Sequence, residues 1–271
     1  MISFPNSKIN LGLRVLDERS DGYHNIETIF YPIPLCDALE FVEADKYAKE
    51  DTLTTSGLPI ETIGDNLVIM AIRKFREVTN IPFLKVHLHK VIPMGAGLGG
   101  GSSDASYIIK SLNHYYDNTL SEDQLEKISL EIGSDCPFFI KNAPALAQGR
   151  GEILKPIPQI LKDKYIVLVN PDIHVSTKEA YQNCVSHSNT SSLENLVNEP
   201  ISEWKHLIYN DFEEYVFKKH SQIGKLKRLF YEEKATYSSM TGSGSAIYGI
   251  FEEKPSLPPE LTKRVIFEGF L

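Results

Sequence analysis

A glycine-rich stretch at residues 94–106, MGAGLGGGSSDAS, places the strongest constraint on how this chain can fold. It follows a strand-like segment, LKVHLHKV at residues 84–91, and precedes a helix-like segment, SDASYIIKSLNHYY at residues 103–116. Glycines reach backbone conformations that other residues avoid, and they let the backbone approach another group closely. The stretch therefore predicts a loop with a specific conformation between a strand and a helix.

The spacing of these glycines is compatible with a dinucleotide-binding loop. Gly95, Gly97 and Gly100 form the G-x-G-x-x-G pattern that binds a pyrophosphate between a strand and a helix. Two features weaken this interpretation: hairpins rather than a βαβ unit precede the loop, and residues 101–104, GSSD, extend the pattern further than a dinucleotide requires. A Walker A loop is excluded, because its lysine would have to follow Gly100, where Gly101 stands.

A third interpretation is a loop that binds a longer phosphate chain. Successive glycines let several backbone N–H groups turn toward one anion, and the following helix adds its own N–H groups and the positive end of its dipole. The hydroxyls of Ser102 and Ser103 add further groups for phosphate oxygens or a magnesium ion. A triphosphate matches this loop best, and a turn required only by chain geometry remains the alternative.

The rest of the sequence predicts a mixture of strands and helices. Alternating apolar residues at 9–16 predict a strand, and Asp21-Gly22 predicts a hairpin turn leading to a returning strand. The pattern Ser121 to Gln124 predicts a capped helix that ends at Gly133. The segment at 62–78 predicts a helix with Asp65 as N-cap and an apolar face made of Leu67, Met70, Ala71, Phe75 and Val78.

The length of 271 residues and a concentration of glycine and proline at residues 143–160 predict two domains. We place the boundary after residue 150, giving an N-terminal domain of residues 1–150 and a C-terminal domain of residues 151–271. The apolar run YIVLVNP at 165–171 restarts the second domain as a buried strand.

Composition excludes several functional classes. The formal net charge of −8 argues against a nucleic-acid partner, and no run approaches the length of about 20 apolar residues that a membrane helix needs. The three cysteines have no metal-like spacing, and with no signal-like N-terminus they predict a cytoplasmic protein. His87 and His89 lack a third ligand nearby, so we predict no metal site in the protein itself.

Several segments resemble the GHMP small-molecule kinases, a family that includes galactokinase and the homoserine, mevalonate and phosphomevalonate kinases. They occur in the family's order and span nearly the whole chain: SKINLGLRVLDERSDGYHNIETIF at 7–30, PMGAGLGGGSSDAS at 93–106, IGSDCPFF at 132–139, AQGRGEIL at 147–154 and MTGSGSAIYG at 240–249. Ser7 stands where the family usually has Ala, and Thr241 stands where Ser is usual but keeps the hydroxyl.

The resemblance implies an α+β, two-domain GHMP kinase fold. Its N-terminal part would be an α/β domain of the ribosomal-protein-S5-like domain 2 type, its C-terminal part a ferredoxin-like α+β domain, and its active site the cleft between them. The GGGSSDA form of the loop and the D-G-Y-H segment narrow the resemblance to members that phosphorylate the 2-hydroxyl of 4-diphosphocytidyl-2-C-methyl-D-erythritol in the non-mevalonate isoprenoid pathway. ATP would be the phosphate donor with Mg²⁺, and the protein would be a monomer or a weak homodimer.

The same resemblance implies a set of ATP-binding residues. They are Pro93, Met94, Gly95, Ala96, Gly97, Leu98, Gly99, Gly100, Gly101, Ser102 and Ser103. Asn66 would contact the adenine side, although a helix-capping role explains it equally well. Thr241 and Gly242 belong to a third family loop, which would support the glycine loop and contact the substrate.

Two residues carry the implied chemistry. A kinase must hold a hydroxyl in line with the γ-phosphate and neutralise charge on the transferring group. Asp135, fixed between Gly133 and Pro137, would accept the hydroxyl proton, with a solvated turn aspartate as the alternative. Lys8 would pair with Asp135 and keep it ionised, and Asn10, two positions along the same strand, would contact the substrate.

An aromatic side chain and an imidazole at a hairpin tip suggest a further binding function. Tyr23 and His24 stand at that tip, and the resemblance implies that His24 bonds the edge of the cytosine while Tyr23 stacks on its face. Tyr181 would take the opposite face. The alternatives are hairpin packing for the first pair and an amphipathic segment for Tyr181.

Two rival functions follow from the same residues. Another GHMP kinase, for mevalonate or homoserine, would lack the D-G-Y-H tip. A non-catalytic nucleotide-binding protein would have no need for both Lys8 and Asp135.

Overall fold

The computed structural model describes residues 1–60, 66–117, 119–184 and 191–271. The strands are β1 (Ile2–Ser3), β2 (Asn6–Glu18), β3 (His24–Cys36), β4 (Ala38–Glu43), β5 (Thr52–Gly57), β6 (Leu84–Lys90), β7 (Ala145–Gly149), β8 (Ile153–Pro156), β9 (Tyr165–Val169), β10 (Tyr237–Met240), β11 (Ile247–Phe251) and β12 (Val265–Phe270). The helices are α1 (Leu67–Val78), α2 (Gly100–Tyr115), α3 (Glu122–Leu130), α4 (Cys136–Lys141), α5 (Thr177–Asn183), α6 (Leu193–Leu196), α7 (Trp204–Leu207), α8 (Glu213–Lys219), α9 (Ser221–Glu232) and α10 (Pro259–Thr262).

The described residues form two compact units. The first contains Met1–Lys8, Pro34–Met94 and Gly99–Ala143, and the second contains Ile9–Ile33, Gly95–Leu98 and Pro144–Leu271. Neither unit is continuous in sequence, and the glycine stretch contributes to both. The boundary between residues 150 and 151 is a division along the chain, and it stays a prediction.

The first unit is a sheet packed against helices α1 to α4. Its strand order is β1-β4-β6-β5, with β5 parallel to β6 and the other pairs antiparallel. Leu84, Val86 and Leu88 point into the core as their alternation predicts. The predicted buried face of α2 is confirmed by the full burial of Ala105, Ile108, Ile109 and Leu112.

Helix α1 differs in detail from its prediction. Asn66 is the N-cap, and its side-chain oxygen accepts a hydrogen bond from the Val68 N–H at 2.9 Å; the predicted cap, Asp65, lies outside the described residues. The predicted apolar face is partly wrong, because Val78 is 56% exposed. The buried residues are Val68, Ala71, Ile72 and Phe75.

Helix α3 has the capping box that its sequence predicts. The Gln124 N–H donates to Ser121 Oγ at 3.4 Å, and the Ser121 N–H donates to Gln124 Oε1 at 2.9 Å. The helix ends at Leu130 rather than at Gly133, which lies in the turn that leads to α4.

The second unit contains two sheets. One sheet has the order β2-β3-β7-β8, and the other has the order β10-β11-β9-β12. Along the chain, the strands of the second sheet follow the order β9, β10, β11 and β12. Helices α5 to α9 lie between β9 and β10, and α10 lies between β11 and β12. This is a β-α-β-β-α-β connectivity in which β9 lies between β11 and β12. It is ferredoxin-like, as expected for the C-terminal part.

In the described part of the chain, no helix combines the length and the apolar composition that crossing a membrane requires.

Candidate active site

In the first unit, Lys8 and Asp135 form the ion pair that the sequence predicts. Lys8 Nζ lies 3.7 Å from Asp135 Oδ2, and the two side chains are 4% and 34% exposed. Burial lowers the pKa of Lys8 below its ordinary value, and the nearby carboxylate of Asp135 opposes this effect. Asp135 is therefore the member of the pair that a substrate can reach, and Lys8 contacts it from the protein interior.

Hydrogen bonds through α2 fix the elements that carry this pair. The Tyr107 hydroxyl, on α2, donates to Asn6 Oδ1 at the start of β2 at 2.8 Å. It also accepts a hydrogen bond from Asn142 Nδ2, directly after α4, at 3.1 Å. One phenol group thus joins the strand of Lys8 to the helix that begins next to Asp135.

The backbone around Asp135 is held at a second point. The Cys136 N–H donates to the Gly133 carbonyl oxygen at 3.1 Å, which closes the turn that contains Asp135. The Ser106 hydroxyl donates to the Cys136 carbonyl oxygen at 2.7 Å and so ties this turn to α2. Burial raises the pKa of the Cys136 thiol to about 12, so the thiol stays protonated and neutral beside the acidic residue.

The glycine stretch changes from loop to helix at Gly99. This residue has φ +70° and caps α2 without a side-chain hydrogen bond, which leaves the first N–H groups of the helix for a ligand. A Cβ at Gly99 would lie 3.2 Å from Lys8 Cε, so the lysine side chain passes directly beside the start of α2. Helix α2 begins at Gly100, three residues before its predicted start.

The side chains at the start of α2 fit an anion as well. The hydroxyl of Ser103 is buried and has no hydrogen-bond partner among the described residues. An unsatisfied buried hydroxyl is rare in folded proteins, and a bound ligand is one explanation for it. Ser102 precedes it in the first turn and is partly exposed.

In the second unit, the tip of the glycine stretch rests on the third family loop. Gly97 has φ +79°, and a Cβ there would lie only 2.0 Å from the Thr241 carbonyl oxygen. The Thr241 hydroxyl donates to the Gly97 carbonyl oxygen at 3.0 Å. The Ala246 N–H donates to the Ala96 carbonyl oxygen at 3.3 Å. Only glycine fits at position 97, because the two backbones are in contact.

Two asparagines hold the third loop in place. The Asn10 N–H donates to Thr241 Oγ1 at 3.0 Å. Asn210 Nδ2 donates to the carbonyl oxygens of Met240 and Gly242 at 2.9 Å and 2.8 Å. Asn10 and Thr241 are only 2% and 0% exposed, so their observed role is to support the loop. Substrate contact by Asn10, Thr241 and Gly242 stays a prediction.

The aromatic residues at the hairpin tip are arranged differently from the expected sandwich. Tyr23 is 57% exposed, and the Arg150 guanidinium lies 5.2 Å from the centre of its ring. The His24 ring stacks on Tyr181, with ring centroids 5.4 Å apart and an interplanar angle of 23°. Tyr181 also contacts the Phe212 ring edge-on at 4.9 Å. That a cytosine lies between Tyr23 and Tyr181 stays a prediction.

For Asn66, the helix-capping alternative describes the observed hydrogen bond to Val68, and adenine contact stays a prediction.

Sequence reasoning missed Tyr107, Asn210 and a buried cluster formed by Lys90, Asp37 and Asp104. A signal for Lys90 was present, because the alternation of LKVHLHKV places it on the inward side with Leu88. An isolated tyrosine or asparagine offers no such signal.

Comparisons with known proteins find two matching family models. A family model described as the GHMP kinases N terminal domain matches residues 66–142, and one described as GHMP kinases C terminal matches residues 192–260. The chain is 46% identical to the 4-diphosphocytidyl-2-C-methyl-D-erythritol kinase of Bacteroides thetaiotaomicron, over 95% of this chain and 94% of that protein. It is 48% identical to the protein of that name from Parabacteroides distasonis, over 93% and 92% of the two chains.

A solved structure gives the same result at lower identity. A crystal structure of 4-(cytidine 5'-diphospho)-2C-methyl-D-erythritol kinase matches with a TM-score of 0.76 and 28% identity. The match covers 92% of this chain and 90% of that one.

Proposed function

The chain belongs to the GHMP kinases and, within them, to the 4-diphosphocytidyl-2-C-methyl-D-erythritol kinases, and on that premise we propose what its residues do. The protein transfers the γ-phosphate of ATP to the 2-hydroxyl of 4-diphosphocytidyl-2-C-methyl-D-erythritol. The products are the 2-phosphate and ADP. The reaction belongs to the non-mevalonate supply of isoprenoid precursors.

The observation that carries this proposal is the Lys8–Asp135 pair beside the start of α2. Asp135 is exposed enough to accept the proton of the substrate hydroxyl while the hydroxyl oxygen bonds to the γ-phosphorus and ADP leaves. In a loose phosphoryl-transfer transition state, position matters more than the basicity of this carboxylate. The ammonium of Lys8 lies near the developing negative charge and stabilises it.

The N-terminal end of α2 is the proposed site for the phosphates of ATP. Gly99 leaves the N–H groups of the first turn available, and the helix dipole favours an anion there. The unpartnered hydroxyl of Ser103 supplies a further hydrogen bond. The tip at Gly95–Leu98, together with Pro93 and Met94, forms the rest of the ATP loop, and Asn66 lies on the adenine side.

Mg²⁺ accompanies ATP in this proposal. The described residues contain no cluster of three His, Cys, Asp or Glu side chains that would hold a metal by themselves. The phosphate oxygens would therefore supply most of the ligands, as is usual for Mg²⁺ with a nucleotide, and the Ser102 hydroxyl is an oxygen donor of the right chemistry. When bound, the ion would neutralise phosphate charge. We expect the protein to act as a monomer or a weak homodimer.

The acceptor site lies in the second unit, at the hairpin tip. The stacking of His24 on Tyr181 offers an aromatic surface of the size of a pyrimidine, and Tyr23 with Arg150 lies at the same hairpin. A cytosine would stack on such rings and would hydrogen-bond to the imidazole of His24 through its edge. These residues would select a cytidyl group over mevalonate or homoserine.

An assay of the purified protein with ATP, Mg²⁺ and the diphosphocytidyl substrate tests this function. We expect stoichiometric ADP and a product with one added phosphate at the 2-position. Asp135→Asn keeps the side-chain size but removes the base, and we expect it to lower kcat by about 10²- to 10⁴-fold. Asp163→Asn is the matched control, because Asp163 is exposed and asparagine tolerates its positive φ of 63°.

Three results would contradict the proposal in different ways. Absence of turnover by the unmodified protein would favour a non-catalytic nucleotide-binding protein. Equal turnover by Asp135→Asn would show that Asp135 is not the base. Equal use of mevalonate or homoserine as the acceptor would contradict the roles of Tyr23 and His24.

A further inference from the structure

Three charged side chains are buried together in the first unit, away from the Lys8–Asp135 pair in the sequence. Lys90 is the last residue of β6, Asp37 lies between β3 and β4, and Asp104 is in the second turn of α2. Their side chains are 2%, 0% and 3% exposed. We refer to these three residues as the buried charge cluster.

The lysine joins the two carboxylates. Lys90 Nζ donates to Asp104 Oδ2 at 2.9 Å and also donates to Asp37 Oδ2. The other oxygen of Asp37 accepts hydrogen bonds from the backbone N–H groups of Val91 and Ile92, at 2.6 Å and 2.8 Å. Asp37 therefore holds both the side chain of Lys90 and the backbone that follows it.

The cluster contacts the glycine stretch on both sides. On one side, Val91 and Ile92 lead directly into Pro93, the first residue of the predicted ATP loop. On the other side, Asp104 lies on α2 just after the glycines. Between them, a Cβ at Gly100 would lie 3.0 Å from Lys90 Nζ, so the ammonium group packs against the first turn of α2.

The charges of the cluster do not balance when both acids are ionised. One ammonium faces two carboxylates, and Asp104 Oδ1 has no hydrogen-bond partner among the described residues. Burial and the nearby charge of Asp37 raise the pKa of Asp104 to about 8, against the opposing effect of Lys90. Asp104 therefore holds a proton at neutral pH, and the cluster is neutral as a whole.

We propose that the buried charge cluster is the positioning device of the ATP loop: it fixes the start of the glycine stretch relative to α2, so that the N–H groups of the first turn face the phosphates. This inference rests on the proposed ATP-binding function of that loop. Lys90, Asp37 and Asp104 are positioning residues here, because they act through the backbone of the loop and contact no substrate. Asp104 contributes as a neutral acid, with its size and its acceptor oxygen as the properties that matter.

ATP binding, measured by calorimetry without the second substrate, tests the inference. Asp104→Ala removes the support on the α2 side, and we expect the Kd for ATP to rise by about 10-fold or more, since small displacements of binding groups have large effects. Asp104→Asn keeps the size and the acceptor of the neutral acid, and we expect a Kd within about twofold of the unmodified protein. The Kd for the diphosphocytidyl substrate should stay within about twofold in both variants.

A second variant, Lys90→Met, removes the ammonium group and should weaken ATP binding at least as much as Asp104→Ala. If Lys90→Met fails to fold, the two Asp104 variants alone test the inference. The inference is wrong if Asp104→Ala folds and binds ATP as tightly as the unmodified protein. It is also wrong if Asp104→Asn is as impaired as Asp104→Ala, or if both ligands weaken equally, because these results indicate a general structural role. Absence of ATP binding by the unmodified protein would instead contradict the proposed function, and the inference with it.

Discussion

The two halves of the glycine stretch are held by different physical means. Residues 95–98 rest on the backbone of the third loop, through neutral hydrogen bonds and one contact that only a glycine permits. The half that begins at Gly99 is held by the buried charge cluster. Both kinds of support serve the same loop, although they belong to different units.

The conformation of one loop thus depends both on steric fit to a neighbouring backbone and on buried charged side chains. The tip tolerates no added carbon atom, because its neighbour is backbone and cannot move aside. We expect the helical half to tolerate a change of side chain as long as the charge balance is kept. The first support is independent of pH, and the second is sensitive to it.

The largest effect should come from a methyl group added at the tip. Gly97 and Gly22 both have φ +79°, but a Cβ at Gly22 meets nothing within 4 Å. Gly22→Ala should lower the free energy of unfolding by about 1–2 kcal/mol, the strain of this conformation alone. Gly97→Ala adds the clash with the Thr241 carbonyl oxygen and should lower it by more than about 4 kcal/mol, as only severe changes do. Urea denaturation measures both, and equal losses would contradict the close approach.

A smaller effect should follow from removing the hydroxyl that joins the two loops. Thr241→Val keeps the shape but leaves the Gly97 carbonyl oxygen and the Asn10 N–H without this partner. We expect a loss of about 1–3 kcal/mol in the free energy of unfolding, because two buried hydrogen bonds are lost. Thr241→Ser retains the hydroxyl and serves as the control. If the valine variant is as stable as the serine variant, the hydroxyl contributes no more than the methyl group that serine lacks, and its proposed role in joining the loops is wrong.

The third effect is a change of stability with pH, and it distinguishes the charged half from the neutral one. The native state keeps the Asp104 proton up to about pH 8, whereas an unfolded chain loses it near the ordinary value of 3.8. Between these values the native state binds more protons, so this group makes the free energy of unfolding fall as the pH rises. Asp104→Asn should remove that contribution.

Urea titrations of both proteins at several pH values between 4 and 8 measure the slope. The unmodified protein should lose stability relative to Asp104→Asn with rising pH. Parallel curves would mean that Asp104 is ionised throughout and that the two halves do not differ in this respect.

Local patterns predicted many elements of the fold, and the misses have physical causes. The alternation of β6, the buried face of α2 and the capping box of α3 are each defined by neighbouring residues. The face of α1 was partly wrong because LVIMA is apolar on every side, so periodicity cannot select the side that packs. Helix α2 begins at Gly100, earlier than the sequence pattern predicts, because the glycines that precede Ser102 carry no helical periodicity.

The contacts of the candidate site also fall into those that the sequence predicted and those that it did not. The family resemblance was sufficient to pair Lys8 with Asp135. The supporting contacts join distant parts of the chain, such as Tyr107 with Asn6 over 101 positions and Asn10 with Thr241 over 231 positions. A single sequence contains no periodic signal for such pairs, because they arise from tertiary packing.

The interleaving of the two units along the chain limits how the protein can be divided. A cut after residue 150 would leave β8 without β7, its partner strand. It would also remove Leu13 and Val15 from the apolar core that they share with β9 and β11. Each fragment would expose an apolar surface that only the other fragment can cover. Limited proteolysis after residue 150 should therefore give two fragments that remain associated, and neither fragment should fold when it is produced alone.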